Sequence, residues 1–404
     1  MKTKIIAFLI LLFVAFGLGY FWVAPHLSQN QLPTADENEP LSPEQTHNSS
    51  IEELISGMSI EEKIAQMLIV QPTSRSISDT MAERLASAPY GGFILLGDNM
   101  GSLSSTRDFI RQLQDKSKTP LIIATDQEGG LVQRLRSVSG ATATYVPEMY
   151  RLGQTNNPAL AKEVGRVMAE EMRVLGINVD FAPVADVYSN PNNTVIGTRS
   201  FSMDPSIVSS MSIALADGLQ NNGITACYKH FPGHGDTATD SHLSLPIINR
   251  TREQLDAVDL LPFKNAISEN ARMIMLGHIA MPALTGDNTP ASMSKTIATD
   301  LLRDEFGFDG LIVTDGLNMG ALLKNYSEEE IYYRAVEAGA DLLVLPLNPE
   351  LAIQSIKEHI SEDRINESLI RIMQFKQDYL ANYTYLDESY FGSKEHAEVI
   401  QQIP

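Results

Sequence analysis

Residues 229–242 read Lys-His-Phe-Pro-Gly-His-Gly-Asp-Thr-Ala-Thr-Asp-Ser-His and hold three histidines, two aspartates and a lysine. They follow the β-rich run Ile224–Tyr228, and Pro232-Gly233-His234-Gly235 continues neither a strand nor a helix. The stretch is a loop of titratable groups at the end of a buried strand, where chemistry concentrates. Three readings fit it. Asp240 and His242, two residues apart, can pair as carboxylate and imidazole for acid/base work. His230, His234, His242 and Asp240 are ligand types that suit zinc, although no helical His-Glu-x-x-His pair organises them. The third reading is structural: polar loop residues that satisfy one another.

Similar residues end other apolar runs. Leu121–Thr125 leads into Asp126-Gln127-Glu128-Gly129-Gly130, with Gln133 and Arg134 close behind. Gly277-His278 follows Arg272–Leu276, Asp315-Gly316 follows Gly310–Thr314, and a separate loop carries Arg199. Taken singly, each aspartate can be a helix cap and each arginine a surface ion pair. Taken together they make one chemistry. Asp315 can attack an electrophilic carbon, and His242 with Asp240 can give and take a proton. Asp126, Arg134, Arg199, Lys229 and His230 offer donors and acceptors to a polar substrate. A retaining glycosidase needs those parts, with histidine replacing the usual carboxylic acid.

Something must hold these residues at one place. Eight short runs rich in Ile, Leu and Val recur: Met67–Val70, Gly92–Leu96, Leu121–Thr125, Asn178–Ala182, Ile224–Tyr228, Arg272–Leu276, Gly310–Thr314 and Asp341–Leu345. They show little alternation, as strands buried on both faces do. Amphipathic segments lie between them, among them Pro158–Leu175, Pro205–Asn221, Arg252–Asn270 and Glu328–Ala338. Two more helix-like stretches, about Glu350–Ile360 and Arg364–Tyr379, follow the last run. Eight βα units predict an α/β fold of the (β/α)8 TIM-type barrel, with function at the strand C-termini. A doubly wound sheet is the alternative, but no Gly-rich dinucleotide or phosphate loop supports it.

The 404 residues carry a formal net charge of −20, which excludes nucleic acid as a partner class. The single cysteine, Cys227, excludes an intramolecular disulfide and a cysteine zinc cluster; it sits in an apolar run as core filler. No cofactor or resident metal is expected, and no protein partner is indicated. Lys2 and Lys4 precede Ile5–Ala24, twenty residues without a charge, the length of a membrane span. Trp22-Val23-Ala24 is a poor cleavage site, so residues 1–24 read as an uncleaved anchor, with a removed signal peptide as the alternative. Either places the rest outside the cytoplasm. Residues 25–50 have four acidic residues and no Lys or Arg, and read as a disordered spacer before a catalytic domain at 51–404.

Five stretches then occur in order: Asp126-Gln-Glu-Gly-Gly-x-Val-Gln-Arg134, Ile196-Gly-x-Arg-Ser-Phe201, Lys229-His-Phe-Pro-Gly-His-Gly235, Asp240-Ser-His242 and Thr314-Asp-Gly-Leu-Asn-Met319. Together they resemble the β-N-acetylglucosaminidases of glycoside hydrolase family 3. The resemblance implies a barrel that releases terminal β-linked N-acetylglucosamine by a two-step retaining mechanism. It implies Asp315 as nucleophile, His242 as acid/base and Asp240 as its partner. It implies sugar contacts from Asp126, Arg134, Arg199, Lys229 and His230, with His278 added as a further contact, and peptidoglycan fragments as the carbohydrate substrate. β-Glucosidase-like hydrolysis and transfer of the sugar to phosphate are the alternatives. Two positions depart from common members: Leu131 where Arg is frequent, and Gly316 where a second carboxylate often follows the nucleophile.

Overall fold

The computed structural model describes residues 43–237, 241 and 244–404, with side chains from Ser50 onward. The expected anchor Ile5–Ala24, most of the spacer, Asp240 and His242 lie outside the described residues. Among the described residues no helix is long and apolar enough to cross a membrane. Residues Ser50–Pro404 form one compact unit. The first described helix, Pro43–Ser56, begins inside the segment read as spacer. Its buried Ile51 and Ile55 give it an apolar face.

All eight apolar runs contain a strand of one parallel sheet. They are β1 (Leu68–Val70), β2 (Gly92–Ile94), β3 (Ile122–Thr125), β4 (Val179–Asp180), β5 (Thr225–Phe231), β6 (Met273–Leu276), β7 (Leu311–Thr314) and β8 (Leu343–Val344). Consecutive strands pair in order, for example Ile69 with Gly92, Ala124 with Val179 and Cys227 with Met273. The sheet closes on itself. β8 pairs with β1 through Leu68 and Leu343, and the Thr314 N–H of β7 donates to the Leu342 carbonyl at 3.0 Å. Every strand residue except Val132 of a side hairpin is buried, which is why these segments read as unbroken apolar runs.

The helices form where caps and periodicity agree. Asn157 caps Pro158–Leu175 with its side chain on the Leu160 N–H, and Asp204 caps Pro205–Asn221. Ser327 caps Glu328–Ala338. The segment read as one helix from Arg252 to Asn270 is two, Arg252–Ala257 and Leu261–Ser268. Pro262 sits in the first turn of the second, where its missing N–H costs nothing; a continuous helix would clash with the ring.

Two polar clusters tie the outer layers to the barrel. At the strand N-termini, the buried Lys376 ammonium donates to Gln66 Oε1 at 2.6 Å, and Gln66 Nε2 donates to the Pro89 carbonyl at 2.7 Å. On the flank, His396 of helix Lys394–Ile400 contacts Glu170 at 2.8 Å and Glu171 at 3.2 Å, both on Pro158–Leu175. Glu171 also accepts the Gly392 N–H at 2.9 Å and the Thr144 N–H at 3.1 Å.

Candidate active site

The first wall of the site is a hairpin that follows β3. Gln127–Gly129 pairs antiparallel with Val132–Gln133. Its turn needs glycine: Gly129 has φ +95°, and a Cβ there would stand 2.8 Å from the Pro147 carbonyl oxygen. Two buried glutamines lock it. Gln127 Oε1 accepts the Leu135 N–H at 3.2 Å, and Gln133 donates to the Gly130 carbonyl at 2.7 Å while accepting the Val146 N–H at 2.9 Å. The hairpin therefore fixes Asp126, Glu128 and Arg134, and carries Leu131 at its tip, 90 % exposed.

Three cations meet these carboxylates, Lys229 and Arg199 from across the barrel mouth and Arg134 from the hairpin itself. Lys229, on β5, donates to Asp126 Oδ1 at 2.8 Å and lies 2.6 Å from Glu128 Oε1. Arg199 grips Glu128 with two parallel bonds, Nε at 2.7 Å and Nη2 at 2.8 Å. Arg134 Nη2 stands 3.6 Å from Asp126 Oδ2, and its buried Nε has no partner among the described residues. Burial opposes charge on Glu128, yet Arg199 and Lys229 hold its carboxyl far below the usual carboxylate range. Burial likewise works against the Lys229 and Arg199 cations, and the carboxylates beside them raise both. Buried charges persist only when paired and hydrogen-bonded, as here.

Behind this cradle lies Asp186, in the crossover after β4. It is fully buried and ionised: burial pushes its carboxyl up, but His230 and the donors around it bring it below the ordinary value. It accepts His230 Nδ1 at 2.7 Å, the His230 N–H at 3.2 Å and the His234 N–H at 2.6 Å. The Asp186 bond therefore places the Nδ1 proton of His230 and orients its ring. His234 serves structure. Burial, then the neighbouring His230, lowers its pKa to about 4, so it is neutral. Thr237 donates its hydroxyl to the His234 carbonyl, so His234 Nδ1–H donates to Thr237 Oγ1 at 2.8 Å. His234 Nε2 is then the acceptor for Ser241 Oγ at 3.2 Å. Both ring nitrogens are occupied, which removes His234 from the zinc ligand set that the loop composition allowed.

Asp315 follows β7, with its N–H on the Leu276 carbonyl at 2.9 Å and its Oδ1 accepting the Gly316 N–H at 2.7 Å. Burial alone would raise its pKa, but His230, His278, the Gly316 N–H and Lys229 lower it. His278, expected from the sequence as a further sugar contact, lies behind Asp315. It is fully buried and absent from the cavity wall. Its Nε2 contacts the Gly316 carbonyl at 2.9 Å, which can only accept, so Nε2 carries a proton, and Nδ1 pairs with the Ser292 hydroxyl at 2.8 Å. His278 supports the turn after Asp315.

One cavity of about 390 Å³ lies at the strand C-termini. Its wall includes Asp126, Arg134, Arg199, Lys229, His230 and Asp315, all expected from the sequence. It also includes Glu128, which the sequence reading quoted without assigning a role, and Ser241, which stands between Asp240 and His242 in the chain. Ser241 is held by His234 and by the Ala321 N–H on its carbonyl at 3.0 Å. Asp186 was not anticipated, although a lone carboxylate within Ala185-Asp186-Val187 signals a buried partner. Gly316 sits on a tight part of the wall: a Cβ there would stand 3.0 Å from Asn318 Oδ1 and 3.4 Å from Leu345 Cδ1.

The arrangement offers an ionised carboxylate facing a cradle of directed donors, in the mouth of a (β/α)8 barrel. Known proteins agree with it. Residues 59–376 match the model of the glycosyl hydrolase family 3 N terminal domain. A beta-hexosaminidase of Nitrosospira multiformis is 34 % identical over 298 residues, 72 % of this chain and 83 % of that protein. Beta-hexosaminidase A of Pseudoalteromonas piscicida is 32 % identical over 326 residues, and there the match spans 54 % of the relative's length. The solved structure of a glycoside hydrolase family 3 beta-N-acetylglucosaminidase from Paenibacillus sp. str. FPU-7 superposes with a TM-score of 0.79 at 33 % identity, covering 86 % of this chain and 68 % of that one. The chain belongs to glycosyl hydrolase family 3, among its β-hexosaminidases.

Proposed function

We propose that the chain is a retaining β-N-acetylglucosaminidase that releases terminal non-reducing N-acetylglucosamine from peptidoglycan fragments, where that sugar is β-1,4-linked to N-acetylmuramic acid. In this reading the Asp315 carboxylate attacks the anomeric carbon as the bond to the leaving oxygen breaks. His242, oriented by Asp240, gives its proton to that oxygen. Water then attacks the glycosyl-Asp315 ester, returns a proton to His242 and frees the sugar. The observation that carries the reading is one cavity lined by a half-buried, ionised Asp315, by the Asp126/Glu128/Arg134/Arg199/Lys229 cradle and by Ser241. Ser241 is the chain neighbour of both proposed proton-transfer residues. The uncharged run Ile5–Ala24 supports a site of action outside the cytoplasmic membrane, with the barrel tethered to it.

The test compares turnover of 4-nitrophenyl β-N-acetylglucosaminide and the matching β-glucoside by the wild type and by His242→Ala. Activity confined to the acetamido sugar, with the variant impaired most on poor leaving groups, is expected, because a good leaving group needs less protonation. Equal activity on the glucoside, or an unimpaired variant, refutes the assignment. Running the assay in phosphate buffer also separates free sugar from sugar 1-phosphate. For localisation, the full chain is expected in the membrane fraction of expressing cells; recovery of all of it in the medium would mean a cleaved signal.

A further inference from the structure

Asp180 is the last residue of β4 and is fully buried. It is not part of the cavity wall. Its Oδ1 accepts the N–H of Gln127 at 2.9 Å, the residue between Asp126 and Glu128. Its Oδ2 has no hydrogen-bond partner among the described residues. The ionisable groups that face it come from both neighbouring strands: Asp126 and Glu128 after β3, Cys227 and Lys229 in β5. Lys229 is already committed to Asp126 and Glu128 at 2.8 and 2.6 Å. An ionised Asp180 would be a third carboxylate on one ammonium, with a bare oxygen and two like charges beside it. Burial and like charge both favour the proton-bound form. The direction of its pKa agrees: burial pushes the carboxyl well above the ordinary range.

We propose that Asp180 works as a neutral carboxylic acid, a positioning residue. Its carbonyl oxygen anchors the Gln127 N–H and so sets the backbone that carries Asp126 and Glu128. Its bound proton leaves the whole charge of Lys229 to those two residues. Asp186, just along the same crossover, is the counterexample: equally buried, but ionised because three N–H groups converge on it.

The experiment uses the full chain and the variants Asp180→Asn, Asp180→Ala and Asp186→Asn. Asparagine keeps the acceptor oxygen and is neutral, so Asp180→Asn should unfold at the wild-type temperature and keep kcat/KM within about threefold. Asp180→Ala leaves the buried Gln127 N–H without an acceptor and should raise KM about tenfold or more. Asp186→Asn, which removes a needed charge, should lose activity that Asp180→Asn keeps. In alkaline buffer the wild-type KM should rise as Asp180 ionises, and that rise should be absent from Asp180→Asn. A protonated-carboxyl C=O stretch should appear in the wild-type minus Asp180→Asn infrared difference spectrum at neutral pH. Absence of that band, or an Asp180→Asn that unfolds early or is as impaired as Asp180→Ala, overturns the proposal. The infrared and unfolding readouts require no substrate, so they stand or fall apart from the sugar assigned above.

Discussion

Glu128 is the most heavily engaged side chain of the site, with a bidentate Arg199 and the Lys229 ammonium on one carboxylate. Glu128→Gln leaves the buried Lys229 and the half-buried Arg199 short of a counter-charge. Breaking one side of a buried pair costs about 3–5 kcal/mol, so a marked drop in thermal midpoint is expected, together with a raised KM. Because its folded pKa lies below the unfolded one, this stability is present above the ordinary carboxylate range and is lost only as pH falls below it. Asp315 is different in kind. Asp315→Asn should fold as the wild type does and lose about three orders of magnitude or more in kcat, measured on the aryl N-acetylglucosaminide. The lowered pKa of Asp315 also predicts an acidic limb of kcat/KM below about pH 4. The polar residues at strand ends were legible in sequence because they interrupt apolar runs. Asp186 was not, since its partners His230 and His234 lie more than forty residues away.

At the scale of elements, the eight strands could be read because burial on both faces leaves a continuous apolar signature. The extension of β5 through Phe231 could not. It depends on a register shift between Tyr228 and Phe231, a property of the pairing with β6. That shift carries Lys229 and His230 on the strand itself. Helix Lys394–Ile400 offers a test of how elements are held. His396 is buried between Glu170 and Glu171; burial works against its charge, and the two carboxylates raise its pKa above the ordinary histidine value. A raised folded pKa gives stability that is complete below the unfolded value of about 6.5 and is lost as pH rises through the folded one. The contribution of this contact to unfolding free energy should therefore decline as pH rises above about 6.5, read as the difference between the wild type and His396→Asn. The Glu171 bond to Thr144 and the Val146 N–H on Gln133 continue this contact to the catalytic hairpin.

The whole molecule divides its polar groups between the two ends of the barrel. The strand C-termini hold the cavity, and the N-termini hold Lys376 on Gln66. Burial lowers the Lys376 pKa to about 7, against about 10.4 in an unfolded chain. The unfolded state then binds more protons at this side chain, so the contribution of Lys376 to stability should rise with pH above 7. Lys376→Met should flatten that slope and stabilise the protein by about 2 kcal/mol at mildly acidic pH, read from denaturant unfolding. An unchanged slope would place the charge of Lys376 elsewhere.

The paired cradle has a consequence for ionic strength. Asp126, Glu128 and Asp315 against Lys229, Arg199 and Arg134 balance locally before any ligand arrives, although the chain as a whole carries −20. A neutral sugar entering there meets directed donors instead of a net field. Long-range attraction is what added salt screens, while contacts inside a buried cluster are screened far less. Turnover of an uncharged glycoside should thus be nearly indifferent to salt, and a substrate that carries carboxylates should bind better as salt rises and mutes the repulsion of the surrounding surface.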